Sequence, residues 1–145
     1  MKIKIREAAE CDIPLILSLY SQPDMDNGKI ISVEQAKHIF YKMKSYPDYK
    51  IYVAADEERI VGTFALLIMD NLAHMGTPSA VIEDVVVSDS FQRMGVGKEM
   101  IRFAIDKGKE AKCYKVSLSS NINRKSAHAF YESLDFQRHG YSFVI

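Results

Sequence analysis

The run of residues best suited to chemistry is Val85-Val86-Val87-Ser88-Asp89-Ser90-Phe91-Gln92-Arg93-Met94-Gly95-Val96-Gly97-Lys98. A β-forming triplet passes through a polar loop into Gly-x-Gly. Beyond it Val96, Met100, Ala104, Ile105 and Gly108 recur at helical spacing. The start of a helix carries unpaired N–H groups and partial positive charge, the combination that binds phosphate oxygens, and glycine lets the backbone come close to an anion. The junction therefore reads as a pyrophosphate cradle of main-chain donors at Gln92, Arg93, Met94, Gly95, Val96, Gly97 and Lys98, with Arg93 and Lys98 able to add charge. By itself Gly-x-Gly also suits an ordinary helix start. It is not a Walker loop, since Gly-x-x-x-x-Gly-Lys-Ser/Thr is absent, and it lacks the third glycine of a dinucleotide fingerprint.

The elements that must hold this junction are legible from period and caps. Ile3 and Ile5 alternate with charge as a first strand. Asp12 is placed to cap a helix bearing Ile13, Ile16, Leu17 and Tyr20 on one face. After a polar loop from Gln22 to Lys29, Ser32-Val33-Glu34-Gln35 is a capping box for a helix with Val33, Ala36, Phe40 and Met43, ended by Pro47. Lys50 to Ala55 and Ile60 to Met69 form a hairpin across Asp56 to Arg59. Ala80 to Val87 is a strand interrupted by Glu83 and Asp84, Tyr114 to Ser119 another, and Ala127, Phe130, Tyr131 and Leu134 mark a last helix. Tyr141, Phe143 and Ile145 alternate as an expected final strand. The order β α α β β β α β α β implies a single α/β (α+β) domain over residues 1–145, with a mixed, mostly antiparallel sheet and helices on both faces.

Composition narrows the function. Lys plus Arg is 19 and Asp plus Glu is 19 over 145 residues, a net charge of zero, which argues against a nucleic-acid partner held by phosphate contacts. The two cysteines, Cys11 and Cys113, have neither each other nor a histidine at ligand spacing, so no metal is expected, and such a pair suits a reducing cytoplasm. No apolar stretch is long enough for a membrane span.

Two signatures together point to a family. Gln92-Arg93-x-Gly95-x-Gly97 after a Val-rich strand resembles motif A of the GNAT superfamily of N-acetyltransferases. Ala127-His128-Ala129-Phe130-Tyr131-Glu132-Ser133-Leu134-Asp135-Phe136 is similar to that family's Ala-x-x-Phe-Tyr-Glu-x-x-Gly-Phe. The order of elements agrees, so the resemblance extends over nearly the whole chain. It implies a sheet splayed in a V, with acetyl-CoA as co-substrate lying in the opening. Val85 and Val87 would offer main-chain groups to its pantetheine arm, with Val86 between them, while residues 92–98 hold the pyrophosphate and Asn123 adds a hydrogen bond.

The resemblance also implies roles. Tyr131 would face the CoA sulfur and donate a proton, or a hydrogen bond, to it as it departs. The attacking amine must be neutral, which calls for a base or a proton-conducting water. Glu83 and Asp84 are the nearby carboxylates. Strict alternation puts them on opposite faces, with Glu83 on the face of Val85 and Val87, and so favours Glu83 over Asp84. His128 reads as a partly exposed helix residue. Asp135 replaces the usual glycine in a left-handed helix end, which Asp tolerates.

For the acceptor, Ile82 to Val87 and Cys113 to Val116 resemble stretches of the glucosamine-6-phosphate N-acetyltransferases, whereas Ser119 to Lys125 looks more like other bacterial small-molecule acetyltransferases. A small-molecule primary amine is therefore expected, an amino sugar or a phosphorylated amine, bounded by the loops Ser21–Ile31 and Asn71–Ser79. The alternatives are acetylation of protein lysines or N-termini, and a non-catalytic acyl-CoA sensor. The apolar tail Tyr141, Phe143, Val144 and Ile145 fits either a homodimer contact or a buried final strand.

Overall fold

The computed structural model describes residues 1–145. Local chemistry sets the first elements. β1 (Ile3–Glu7) leads to α1 (Ile13–Tyr20), which has a proline in its first turn, where a missing N–H costs nothing. Asp12 does not cap α1 with its side chain. It accepts the Ala9 N–H at 2.7 Å and grips Arg6 through both oxygens at 2.6 and 2.9 Å. A buried carboxylate finds a fixed guanidinium a stronger partner than one helix amide. The Arg6 bond holds the Asp12 carboxyl below the usual carboxylate range against the opposing effect of burial. The box before α2 (Val33–Lys44) forms as expected: Ser32 Oγ accepts from Gln35 N–H at 3.1 Å, and Gln35 Oε1 accepts from Ser32 N–H at 3.2 Å.

β2 (Tyr49–Asp56), β3 (Arg59–Met69), β4 (Ser79–Val87) and β5 (Val116–Leu118) complete a five-stranded sheet in the order β1-β2-β3-β4-β5. The first four strands pair antiparallel and β5 joins β4 in parallel. α3 (Val96–Glu110) lies between β4 and β5, and α4 (Lys125–Glu132) follows β5. The side chains segregate into two cores, one on each sheet face. Tyr52, Phe64, Leu66, Ile82, Met100 and Ile101 pack beneath α3. Val53 joins Ile13, Ile16, Leu17, Ala36 and Phe40 beneath α1 and α2.

Two expectations change at the C-terminal end. The strand expected over Tyr114 to Ser119 shrinks to Val116–Leu118, because Tyr114 spends its N–H on the Pro78 carbonyl at 2.9 Å and stacks on His74. The final strand does not form. Tyr141, Phe143, Val144 and Ile145 are 91 to 128% exposed. Alternation prescribes two faces for a strand, but the strand exists only where an edge pairs with it. Within this chain the tail has one side-chain hydrogen bond, between Ser142 and Ser119 at 2.8 Å. Asp135 does adopt the left-handed conformation, at φ 68°.

Candidate active site

The cradle forms at the start of α3. Gly95 closes the loop at φ 90°, a left-handed conformation that favours glycine. Glu99 N–H bonds to the Gly95 carbonyl at 3.1 Å, so the amides of Val96, Gly97 and Lys98 precede the helical ladder and remain free for an anion. The Val96 side chain is buried in the core and pins the turn. Arg93 and Lys98 are exposed and form none of the molecule's ion pairs. Gln92 folds back along its own loop: its Nε2 donates to the Val87 carbonyl and to Asp89 Oδ1, each at 3.2 Å. A side chain on Gly97 would approach the Phe130 ring at 3.3 Å, tighter than ordinary packing, so this glycine lets α4 seat against the start of α3.

β4 leads into the cradle with one edge open. It pairs with β5 only from Ala80 to Ile82, leaving Glu83 to Val87 without a strand on that side. The opening begins at a bulge. Ala65 opposes Glu83 and Thr63 opposes Val86, so β4 uses three steps where β3 uses two. Asp84 is the residue with φ 53°. Bulges of this kind bend a strand and re-aim its side chains. Main-chain groups on an open edge suit an extended amide-bearing ligand, although the Val87 carbonyl is already shared by Gln92 and by Gln22 Nε2 at 3.0 Å.

The bulge also corrects the alternation. Ile82 points into the α3 core, and Val85 and Val87 pack against the same core. Glu83 pairs with Ala65, whose neighbours Phe64 and Leu66 both face α3. Glu83 therefore lies on the opposite face from Val85 and Val87. Both carboxylates act on one group: the charges of Asp84 and Glu83 add to burial in raising the Tyr49 phenol. Burial, then the Asp26 charge, raises the Asp84 carboxyl above its ordinary value. Burial, then the Asp84 charge, raises the Tyr20 phenol. Tyr20 at the end of α1, Asp26 in the following loop and Tyr49 at the start of β2 thus lie within electrostatic reach of Asp84. In sequence Tyr20 is one residue of a helix stripe and Asp26 one of a polar loop; the signal for both is an aromatic ending that stripe ahead of an acidic loop.

Tyr131 sits on α4 between Phe130 and Phe136, with ring centroids 5.2 and 5.9 Å away. Burial raises its phenol, against an opposing effect of Arg124, so the hydroxyl stays protonated at neutral pH. Asn123 is exposed, its backbone N–H bonded to Asn121 Oδ1 at 2.9 Å. His128 Nε2 contacts the Asn121 carbonyl at 2.8 Å, which ties the half-exposed ring to the loop. In that loop the buried Ser120 hydroxyl has no hydrogen-bond partner. No cluster of three His, Cys, Asp or Glu side chains could hold a metal ion, and no helix is long and apolar enough to cross a membrane. The free helix-start amides, two unpaired cations and an open strand edge fit a diphosphate carrying an extended amide arm.

Known proteins resemble this chain in sequence and in fold. The sequence profile of the acetyltransferase (GNAT) family matches residues 16–136. Glucosamine 6-phosphate N-acetyltransferase of Trypanosoma brucei brucei is 34% identical over 90 residues, which cover 62% of this chain and 59% of that protein. The enzyme of the same name from Arabidopsis thaliana is 30% identical over 105 residues, 70% of this chain and 68% of its own length. The crystal structure of glucosamine-6-phosphate N-acetyltransferase from Arabidopsis thaliana superposes with a TM-score of 0.84 at 27% identity, covering 100% of this chain and 98% of that one.

Proposed function

The chain belongs to the GNAT acetyltransferase family, and from that premise we propose that it is an N-acetyltransferase using acetyl-CoA to acetylate the primary amine of a small molecule. The observation that carries the reading is the open edge of β4, which starts at the Asp84 bulge and runs into the free amides of α3. Val85 and the N–H of Val87 are the main-chain groups suited to the pantetheine arm. The amides of Val96, Gly97 and Lys98, with Arg93, suit the diphosphate, and Asn123, in the loop after β5, is the proposed further hydrogen-bond partner. Bound there, the thioester supplies an activated acetyl group.

The chain's own residues manage the protons. An amine arrives largely as ammonium and must lose a proton before it attacks. Asp84 is the proposed base, because its raised carboxyl is a stronger proton acceptor than an ordinary carboxylate. Glu83, beside it, helps hold the ammonium. Tyr131 keeps its proton through burial and offers it to the departing sulfur. No acyl-enzyme intermediate is required, so neither Cys11 nor Cys113 is assigned as a nucleophile.

An amino sugar, phosphorylated or not, is the proposed acceptor class, supported by the names of the two curated relatives. The exposed apolar tail from Tyr141 to Ile145 is the proposed contact between two copies in a homodimer, and the cytoplasm is the proposed location. The test is release of free CoA thiol with glucosamine 6-phosphate, glucosamine and a lysine peptide as acceptors. Turnover with a sugar amine supports the reading. Turnover with the peptide alone would replace the acceptor class, and cofactor binding with no turnover on any amine would favour a sensor.

A further inference from the structure

The loop after α1 is fastened to the end of β4 by one side chain. Gln22 Nε2 donates to the Val87 carbonyl at 3.0 Å, and Gln22 Oε1 accepts the Asp89 N–H at 3.0 Å, across more than sixty residues of sequence. The backbone carbonyl of the same residue accepts the N–H groups of Met25 and Asn27 at 3.0 and 3.1 Å. Gln22 therefore closes the turn that carries Asp26 and also joins that turn to the strand end. The atom it holds there, the Val87 carbonyl, is the one held by Gln92 of the cradle loop. A primary amide is well matched to this post, since one arm must donate and the other must accept.

We propose that Gln22 is a positioning residue that couples the cradle to the loop after α1, so that an anion filling the cradle fixes the loop of residues 21–28, which carries Asp26. The inference rests on the cradle reading given above. Its physical basis is a shared acceptor: any shift of Gln92 as the loop closes on a diphosphate changes how the Val87 carbonyl is divided between the two amides, and Gln22 transmits that change to the turn. Coupling of this kind is reciprocal, so the ordered turn also favours the occupied cradle. Gln22 touches no reacting atom in this scheme.

The test is amide hydrogen exchange on the full chain, with and without CoA, for wild type, Gln22→Ala and Gln22→Glu. The glutamate keeps the acceptor for Asp89 and loses the donor to Val87. In wild type, CoA is expected to slow exchange at residues 96–98 and also at the hydrogen-bonded amides of Met25, Asn27 and Gly28, by about fivefold or more, the low end of ordinary coupling between sites. In both variants the slowing at 96–98 should persist and the slowing at 25–28 should vanish. Loop protection that survives in Gln22→Glu would overturn the proposal. So would wild-type protection confined to 96–98. A wild type in which CoA protects neither segment would remove the cradle reading, and the coupling with it.

Discussion

The sheet from β1 to β4 with α1, α2 and α3 differs from everything after Gly108. The first region holds every buried residue of the molecule; beyond Gly108 none falls in the buried class, and the aromatics Phe130, Tyr131 and Phe136 are only half covered. One region is a scaffold whose strands pair and whose helices are fully seated. The other carries the proposed acid, the Asn123 loop and an unpaired apolar tail on a three-residue strand. The proposed chemistry thus spans both regions, while the buried core lies in one. The proposed base and cradle are built on the scaffold, and the proposed acid sits on a helix that packs through Phe130 onto Gly97.

Substitutions can sharpen that division. The largest effect is expected at Asp84. Asp84→Asn should lower kcat by about a hundredfold or more, the ordinary worth of a positioned base. Asn also suits the left-handed backbone there. The native carboxyl binds its proton more tightly in the folded state than in the unfolded chain, so its contribution to stability falls as pH rises from its unfolded pKa through its raised folded one. Above that window Asp84→Asn should therefore melt higher than wild type, and the gap should close as pH falls through it. A thermal melt series across pH, run beside the rate profile, checks both. In wild type the acid limb of the rate profile should lie above the ordinary carboxylate range.

Tyr131→Phe should lower kcat by about tenfold to a hundredfold under conditions where chemistry limits the rate. Its melting temperature should barely change, because the ring remains and the hydroxyl has no hydrogen-bond partner within the chain. Full turnover would remove the acid role. Asp12→Ala inverts the pattern. It removes charge-assisted bonds from a buried carboxylate and should cost about 2 kcal/mol in denaturant unfolding, while kcat of the folded enzyme holds. The smallest effect on the single chain is expected from deleting residues 141–145, whose one side-chain hydrogen bond to the rest of it is the exposed Ser142–Ser119 pair. Unfolding free energy per chain should change little, whereas sedimentation should shift from dimer to monomer. An unchanged sedimentation coefficient would remove the tail from the interface.

The fold was legible wherever a pattern answered to local physics. The Ser32 box, the hairpin and the α3 stripe all depend on neighbours a few residues away. The Gly-x-Gly junction was legible because its cap geometry is local too. Asp12 was misjudged because a buried carboxylate prefers Arg6, six residues back, to the helix beside it. The tail was misjudged because a strand needs an edge that sequence alternation does not supply. Glu83 and Asp84 were found as a pair, but their faces were not: one left-handed residue resets the period for all that follows, and nothing in Ile82-Glu83-Asp84-Val85 announces it. Gln22 was invisible, since its partners are distant in sequence and its type is common in loops.

The central claim is that free amides at the start of α3 hold the coenzyme's diphosphate, and calorimetric titration with CoA tests it most directly. Wild type should be compared with Gly95→Ala and Gly95→Glu. A side chain at Gly95 meets nothing within 4 Å, so the alanine isolates the backbone strain of φ 90°, about 1 kcal/mol, and the glutamate adds a charge facing the phosphates. The account predicts a modest loss of affinity for the alanine and about a hundredfold loss or more for the glutamate, with both variants folded. Equal affinity for CoA in Gly95→Glu and wild type would contradict it.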